Sequence, residues 1–175
     1  MSFDLPTITT ADLVAQEGKT VPQFCNCGYV DMHQNHCAHF VSHVLDIEVG
    51  LLCGSMAWAT RGRGVSLRVN QVFNSLTTRG RWDDASQLPA AVANCNAFLL
   101  FATIPDNVSE ARGVLTMGSH HLKHIGIYRG GTVWNFSNNH AHPQVISETA
   151  AGFRQRLTHV YGAGTRFFYG YQADL

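Results

Sequence analysis

The sequence is poor in charge. Only 14% of its 175 residues are Asp, Glu, Lys or Arg, and 12 basic residues are balanced by 12 acidic ones. No basic block exists to track a phosphate backbone, so no nucleic-acid partner is expected. A zero net charge gives no reason to expect a strongly anionic partner either. Arg61-Gly62-Arg63 with Arg68 is the one cationic cluster, and it reads as a solvated loop. Long apolar runs are missing as well: nothing approaches the roughly 20 residues that span a bilayer. The opening residues, Met1-Ser2-Phe3-Asp4-Leu5-Pro6, lack the basic start and apolar run of a secretory leader. The expected location is therefore the cytoplasm, or the outside by a non-classical secretion or phage route. Cysteine is too sparse for a disulfide-stapled fold. The five present are an odd number, which leaves one thiol free unless it pairs with another chain.

What is present suits a folded domain. Hydrophobic residues make up 45% of the chain, and its length supports one core that needs neither disulfide nor metal to form. Residues 1–175 are read as a single domain. The spacing predicts a first helix over residues 9–17, capped by Thr10 and ended by Gly18. A second helix follows Asn35, its natural cap, with Phe40, Val41, Val44 and Leu45 on one face. Cys37 falls in its first turn. The Gly-interrupted stretch 51–88 is hardest to read, with a short helix over 69–76. Strands are expected over 96–104, 124–128, 132–137 and 166–171, and a surface helix over 147–157. Gly130-Gly131 joins two of the strands as a hairpin. Helices first and an antiparallel sheet after them make the fold class α+β.

A cysteine in the first turn of a helix has a physical reason to react, because the free N–H groups and the helix dipole favour a thiolate. His124, at the start of a strand, is the candidate base. Asn135 shares a strand face with Val133 and Ser137 and is placed to orient the imidazole. A competing chemistry is metal binding. Cys25, Cys27, His33, His36 and Cys37 lie close together, and His39 and His43 are helical neighbours. Their spacing matches no defined zinc pattern. Cys53 and Cys95 read as small buried hydrophobes. His120-His121 and His140-Ala141-His142 read as loop side chains. Trp58, Trp82 and Trp134 could form a ligand platform but read as core.

The segment Cys37-Ala38-His39-Phe40-Val41-Ser42-His43-Val44-Leu45 resembles the nucleophile helix of NlpC/P60 cell-wall peptidases. His124-Ile125-Gly126-Ile127-Tyr128 resembles that family's His-Val-Gly-Ile-Tyr strand, and Asn135 stands where its third polar residue lies. The apolar strand Phe98 to Phe101 is similar to the one that precedes the family's histidine. Departures are His36 for the usual Asp, Ala38-His39 for Ser-Gly, and Asn96 or Ala97 for a strand Asp. Phe24 to Tyr29 occupy the region of an absent Trp-Gly-Gly. The resemblance implies a papain-like fold with N-terminal helices packed on a central antiparallel sheet. It implies a cysteine amidase or endopeptidase with catalytic Cys37, His124 and Asn135, no cofactor, and backbone N–H groups at Cys37 as the oxyanion site, with Tyr29 a candidate donor. The substrate would be a peptide or peptidoglycan-fragment amide. A secretion machine or a cognate immunity protein would be the protein partner. Alternatives are a thiol protease acting on a host protein, and an acyltransferase similar to lecithin:retinol acyltransferase, whose Asn-Cys-Glu-His-Phe-Val motif Cys37 to Val41 partly matches and whose base would be His33 or His36. A further alternative is a non-catalytic or metal-binding interaction domain.

Overall fold

The apolar stretch near residue 100 becomes a strand, Ala97–Thr103, buried at every position. It lies inside a six-stranded sheet whose ladders are all antiparallel. A computed structural model describes residues 7–29, 31, 34–139 and 141–172. Its helices are α1 Thr10–Val14, α2 Val21–Phe24, α3 Cys37–Leu45, α4 Val69–Ser75 and α5 Ala150–Tyr161. Its strands are β1 Thr78–Arg81, β2 Ala97–Thr103, β3 Val108–Ala111, β4 Val114–Met117, β5 Lys123–Arg129, β6 Thr132–Ser137, β7 Gln144–Thr149 and β8 Arg166–Tyr171. The large sheet runs β1-β8-β2-β5-β6-β7, and β3 with β4 forms a separate hairpin. The molecule is thus a mixed α+β fold, with helices leading the chain and an antiparallel sheet at its centre. No helix among the described residues is long and apolar enough to cross a membrane.

Strand alternation splits the core between the two sheet faces. Ile125, Ile127, Trp134 and Phe136 point to the side covered by α3 and α4. Phe98, Leu100, Tyr128 and Val133 point to the side covered by Phe153 and Leu157 of α5. Burying these two sets of aromatic and aliphatic side chains supplies the dominant folding force. Gly126 has a steric reason to be Gly: a Cβ there would sit 2.6 Å from Val133 Cγ1 and 3.1 Å from the Trp134 carbonyl oxygen. The edge of β7 is covered by the N-terminal segment, since the Gly18 amide donates to the Val145 carbonyl and the Val145 amide to that of Lys19. Trp134 Nε1 bonds Glu17 Oε1 at 3.0 Å across the same seam. These bonds lead the chain from the sheet edge into α2 and on to Cys25.

Several boundaries differ from the sequence reading. Thr9, not Thr10, caps α1, because its hydroxyl takes the Asp12 amide while the Asp12 carboxylate takes the Thr9 amide. His36 holds the cap position of α3, yet Asn35 still serves it, its Oδ1 accepting from the Cys37 amide at 3.0 Å. The expected helix over 147–157 is a strand followed by a helix. Residues 144–149 pair along the whole of β6, and Thr149 then caps α5. Their alternation of half-buried and exposed side chains suits an edge strand, and pairing with β6 decides the matter. Strands β1, β3 and β4 have four residues each, and of the three only β4 buries side chains, Leu115 and Met117, so each is too short for a strand period to stand out.

Candidate metal centre and the Cys37 helix

Three chain segments meet beside α3. Cys25 closes α2 in extended geometry, and Gly28 at φ +79° turns the chain just past Cys27. The thiols of Cys25 and Cys27 thereby converge, 2.6 Å apart. Cys53 opens a short 3₁₀ turn and brings its Sγ to 2.8 Å from Cys27 and 3.9 Å from Cys25. Gly64 makes room for that sulfur, since a Cβ there would stand 2.4 Å from it. Thr60 ties the loops together, its hydroxyl donating to the carbonyl oxygens of Cys27 at 3.0 Å and Gly54 at 3.3 Å. The third wall is α3. His39 and His43, one helical turn apart, face the thiols, and His43 Nε2 lies 3.9 Å from Cys53 Sγ. One donor atom from each of Cys25, Cys27, His39, His43 and Cys53 lies within 4.8 Å of all the others.

This donor set fits a borderline-soft cation. Zinc binds sulfur at about 2.3 Å, so the sulfurs of a tetrahedral site stand about 3.8 Å apart. The Cys25–Cys53 separation, 3.9 Å, is close to that edge. Cys27 Sγ sits closer and would move outward by roughly 1 Å. Burial pushes the thiols of Cys25, Cys27 and Cys53 above the usual thiol range, so deprotonation there needs a cation to drive it. Burial likewise holds the His39 imidazole neutral, down to about 3, with His43 and His36 adding to the effect. A neutral imidazole is the form that ligates. The Val65 amide donates to Cys53 Sγ at 3.4 Å, an outer contact that favours a thiolate. Cys95, half-buried, lies apart from the cluster against the second core.

Cys37 opens α3 and is fully buried. Burial pushes its thiol up to about 12, although the amides of Ile125 and Ala38 and the charge of Lys123 oppose this. His124 of β5 and Asn135 of β6 are brought together, Nε2 to Oδ1 at 2.9 Å. Asn135 is itself held by Arg156 Nη2 at 2.9 Å and donates to Glu148 Oε1 at 2.9 Å. The His124 ring packs on Phe153, centroids 5.7 Å apart, and so faces α5. Among the described residues no hydrogen bond joins Cys37 to His124. The Cys37 amide is occupied by Asn35, and Asn138 Nδ2 reaches the same oxygen at 2.8 Å. Tyr29 lies over the His36 and His39 rings, 5.3 and 5.8 Å away.

Other candidates are scattered. His120 and His121 stack on each other at the surface, and His142 is exposed. His33 and His140 lie outside the described residues. Arg61, Arg63 and Arg68 are exposed, as a solvated loop requires. Trp82 and Trp134 are core, but Trp58 is 86% exposed, contrary to the core reading: it opens a short 3₁₀ turn outside both core clusters, with the Arg61 guanidinium 5.6 Å over its ring. Cys53 was the residue hardest to foresee. Its apolar neighbours suggest packing, and only the Gly54 and Gly64 turns bring it to Cys25 and Cys27. Comparison with protein-family models, with curated proteins and with solved structures finds no match for the chain.

Proposed function

We propose that this chain is a metal-binding α+β domain in which Cys25, Cys27 and Cys53, with one imidazole from α3, hold one zinc-class cation. The observation that carries this reading is the convergence of five buried or half-buried donors within 4.8 Å. Packing cysteines and histidines have no reason to meet from three separate segments. The donors come from the segment after α2, from α3 and from the loop that follows α3, so the cation's role is to fasten the chain on either side of α3 to that helix. Buried donors and the sulfur-rich set favour a structural centre. The test is elemental analysis of the full chain after expression with zinc. One equivalent of zinc is expected, lost in the double variant Cys25→Ser, Cys53→Ser. Purified protein with well below one equivalent after zinc loading would reject the reading.

A second reading has its own support. Cys37 begins a helix packed on β5, the His124–Asn135 pair is formed, and a cavity of about 350 Å³ borders Asn35 and Lys123, the neighbours of Cys37 and His124. We propose as the alternative a papain-like, NlpC/P60-type cysteine amidase. In it His124 deprotonates Cys37, the thiolate attacks an amide of a peptidoglycan stem, and water releases the acyl group. It needs the thiol and imidazole to come into hydrogen-bond contact when substrate enters. Purified muropeptides incubated with wild type and with Cys37→Ala decide it by mass spectrometry. New products from wild type alone support the amidase, and none from either removes it.

A further inference from the structure

Five donors converge where tetrahedral zinc takes four, and hydrogen bonding distinguishes among them. The chain of bonds starts at a backbone carbonyl. His36 Nε2 stands 2.6 Å from the Asp31 carbonyl oxygen. A carbonyl has no proton to give, so this ring nitrogen donates. A neutral imidazole has one N–H, which leaves His36 Nδ1 a bare lone pair. That atom faces His39 Nδ1 at 3.1 Å, so His39 Nδ1 supplies the proton between them. His39 Nε2 is then bare as well. It is buried, has no hydrogen-bond partner among the described residues, and is the remaining ring nitrogen of a residue in the converging donor set. The reverse proton order would bury an imidazolium at His36, among Tyr29, His39 and Phe136. It would also aim an unpaired N–H from His39 at the thiols, and both carry a desolvation cost.

We infer that His39, through Nε2, is the fixed imidazole ligand of the metal, and that His36 with the Asp31 carbonyl is the positioning pair that sets its tautomer and ring plane. The inference rests on the metal-binding reading above. Cys25, Cys27 and Cys53 with His39 complete four positions. His43 is the donor left over: it is half-buried and also lines a cavity of about 570 Å³ together with Phe24 and Asp46. Metal-ligating histidines depend on such outer partners for orientation and basicity, and losing one typically weakens metal binding about 10–100-fold.

Two-bond ¹H–¹⁵N correlation on the zinc-loaded, ¹⁵N-labelled full chain reads the tautomers directly. Expected are His39 protonated at Nδ1 with Nε2 metal-bound, and His36 protonated at Nε2. Zinc affinity, measured by competition with a chromophoric chelator, should fall about 10–100-fold in His36→Leu. It should return to within about 3-fold of wild type in His36→Gln, whose amide can donate to Asp31 and accept from His39. His43→Ala should keep one equivalent of zinc. Zinc bound with His39 protonated at Nε2 would overturn the inference and leave the metal-binding reading standing, as would tight binding in His39→Ala but not in His43→Ala. Absence of bound zinc in wild type would overturn both. The spectrum needs only wild type, so a variant that fails to fold does not weaken the test.

Discussion

His124 is 3% exposed, held between Asn135 and Phe153. Burial lowers its proton affinity from the ordinary 6.5 to about 3; the Arg156 guanidinium adds to this and the bond from Asn135 opposes it. Its contribution to folding is present above the unfolded value and is lost as pH falls, because the unfolded chain then takes up a proton that the folded one refuses. Stability should therefore drop between about pH 6.5 and 3, and His124→Gln should make that part of the profile shallower in urea titrations at stepped pH, with buried His39 supplying the slope that remains. An equally steep slope in the variant would assign the loss to other groups. Cys37 shows the opposite sign. With its thiol raised to about 12, its contribution is present below the ordinary thiol value and is lost as alkali ionises the unfolded chain. In the folded state Cys37 should be the slowest of the five cysteines to react with iodoacetamide, and half-buried Cys95 should react before the buried ones. Rapid labelling of Cys37 at neutral pH would instead speak for an open, catalytic conformation.

At the scale of elements, α5 and the β5–β6 ladder each depend on one residue. Thr149 Oγ1 accepts from the Gly152 amide at 3.0 Å and is the only side-chain cap of α5 among the described residues. Thr149→Ala should cost about 1 kcal/mol in denaturant unfolding. Gly126→Val places a branched side chain where even a Cβ meets Val133 and the Trp134 carbonyl. It should destabilise by about 1–3 kcal/mol through overpacking. An unchanged midpoint would mean that β6 yields there more easily than its packing suggests. The helix α3 is legible from sequence because Phe40, Val41 and Leu45 keep a helical period. Strand β7 is not, since its half-exposed residues have no pattern of their own and form a strand only because β6 offers an edge.

For the whole molecule, the cluster joins segments that have little else in common. The stretch around Cys25 and Cys27 and the loop from Cys53 to Gly64 contain few regular backbone bonds, whereas β2, β5 and β8 are paired along their length. Chelation should therefore expose residues 21–29 and 51–64 to hydrogen exchange well before the sheet responds. It should also open Cys25, Cys27 and Cys53 to alkylation. Uniform loss of protection across the sheet would show that the centre governs the entire fold, and no change anywhere would mean that no metal had been holding these loops.

The sequence by itself determined the α+β class, the amphipathic helix with Cys37 in its first turn, the hairpin at Gly130-Gly131 and the pairing of His124 with Asn135. Each of these rests on local period, on turn chemistry or on strand-face parity, and those are written in neighbouring residues. Only the tertiary structure decided that Cys53 meets Cys25 and Cys27, that His39 and His43 face those thiols, and that His124 turns toward Phe153 of α5. A metal centre built from residues 25 to 53 has no local period. Its donors are brought together by the Gly28, Gly54 and Gly64 turns and by packing against α3, whose consequences appear only once the chain has closed on itself.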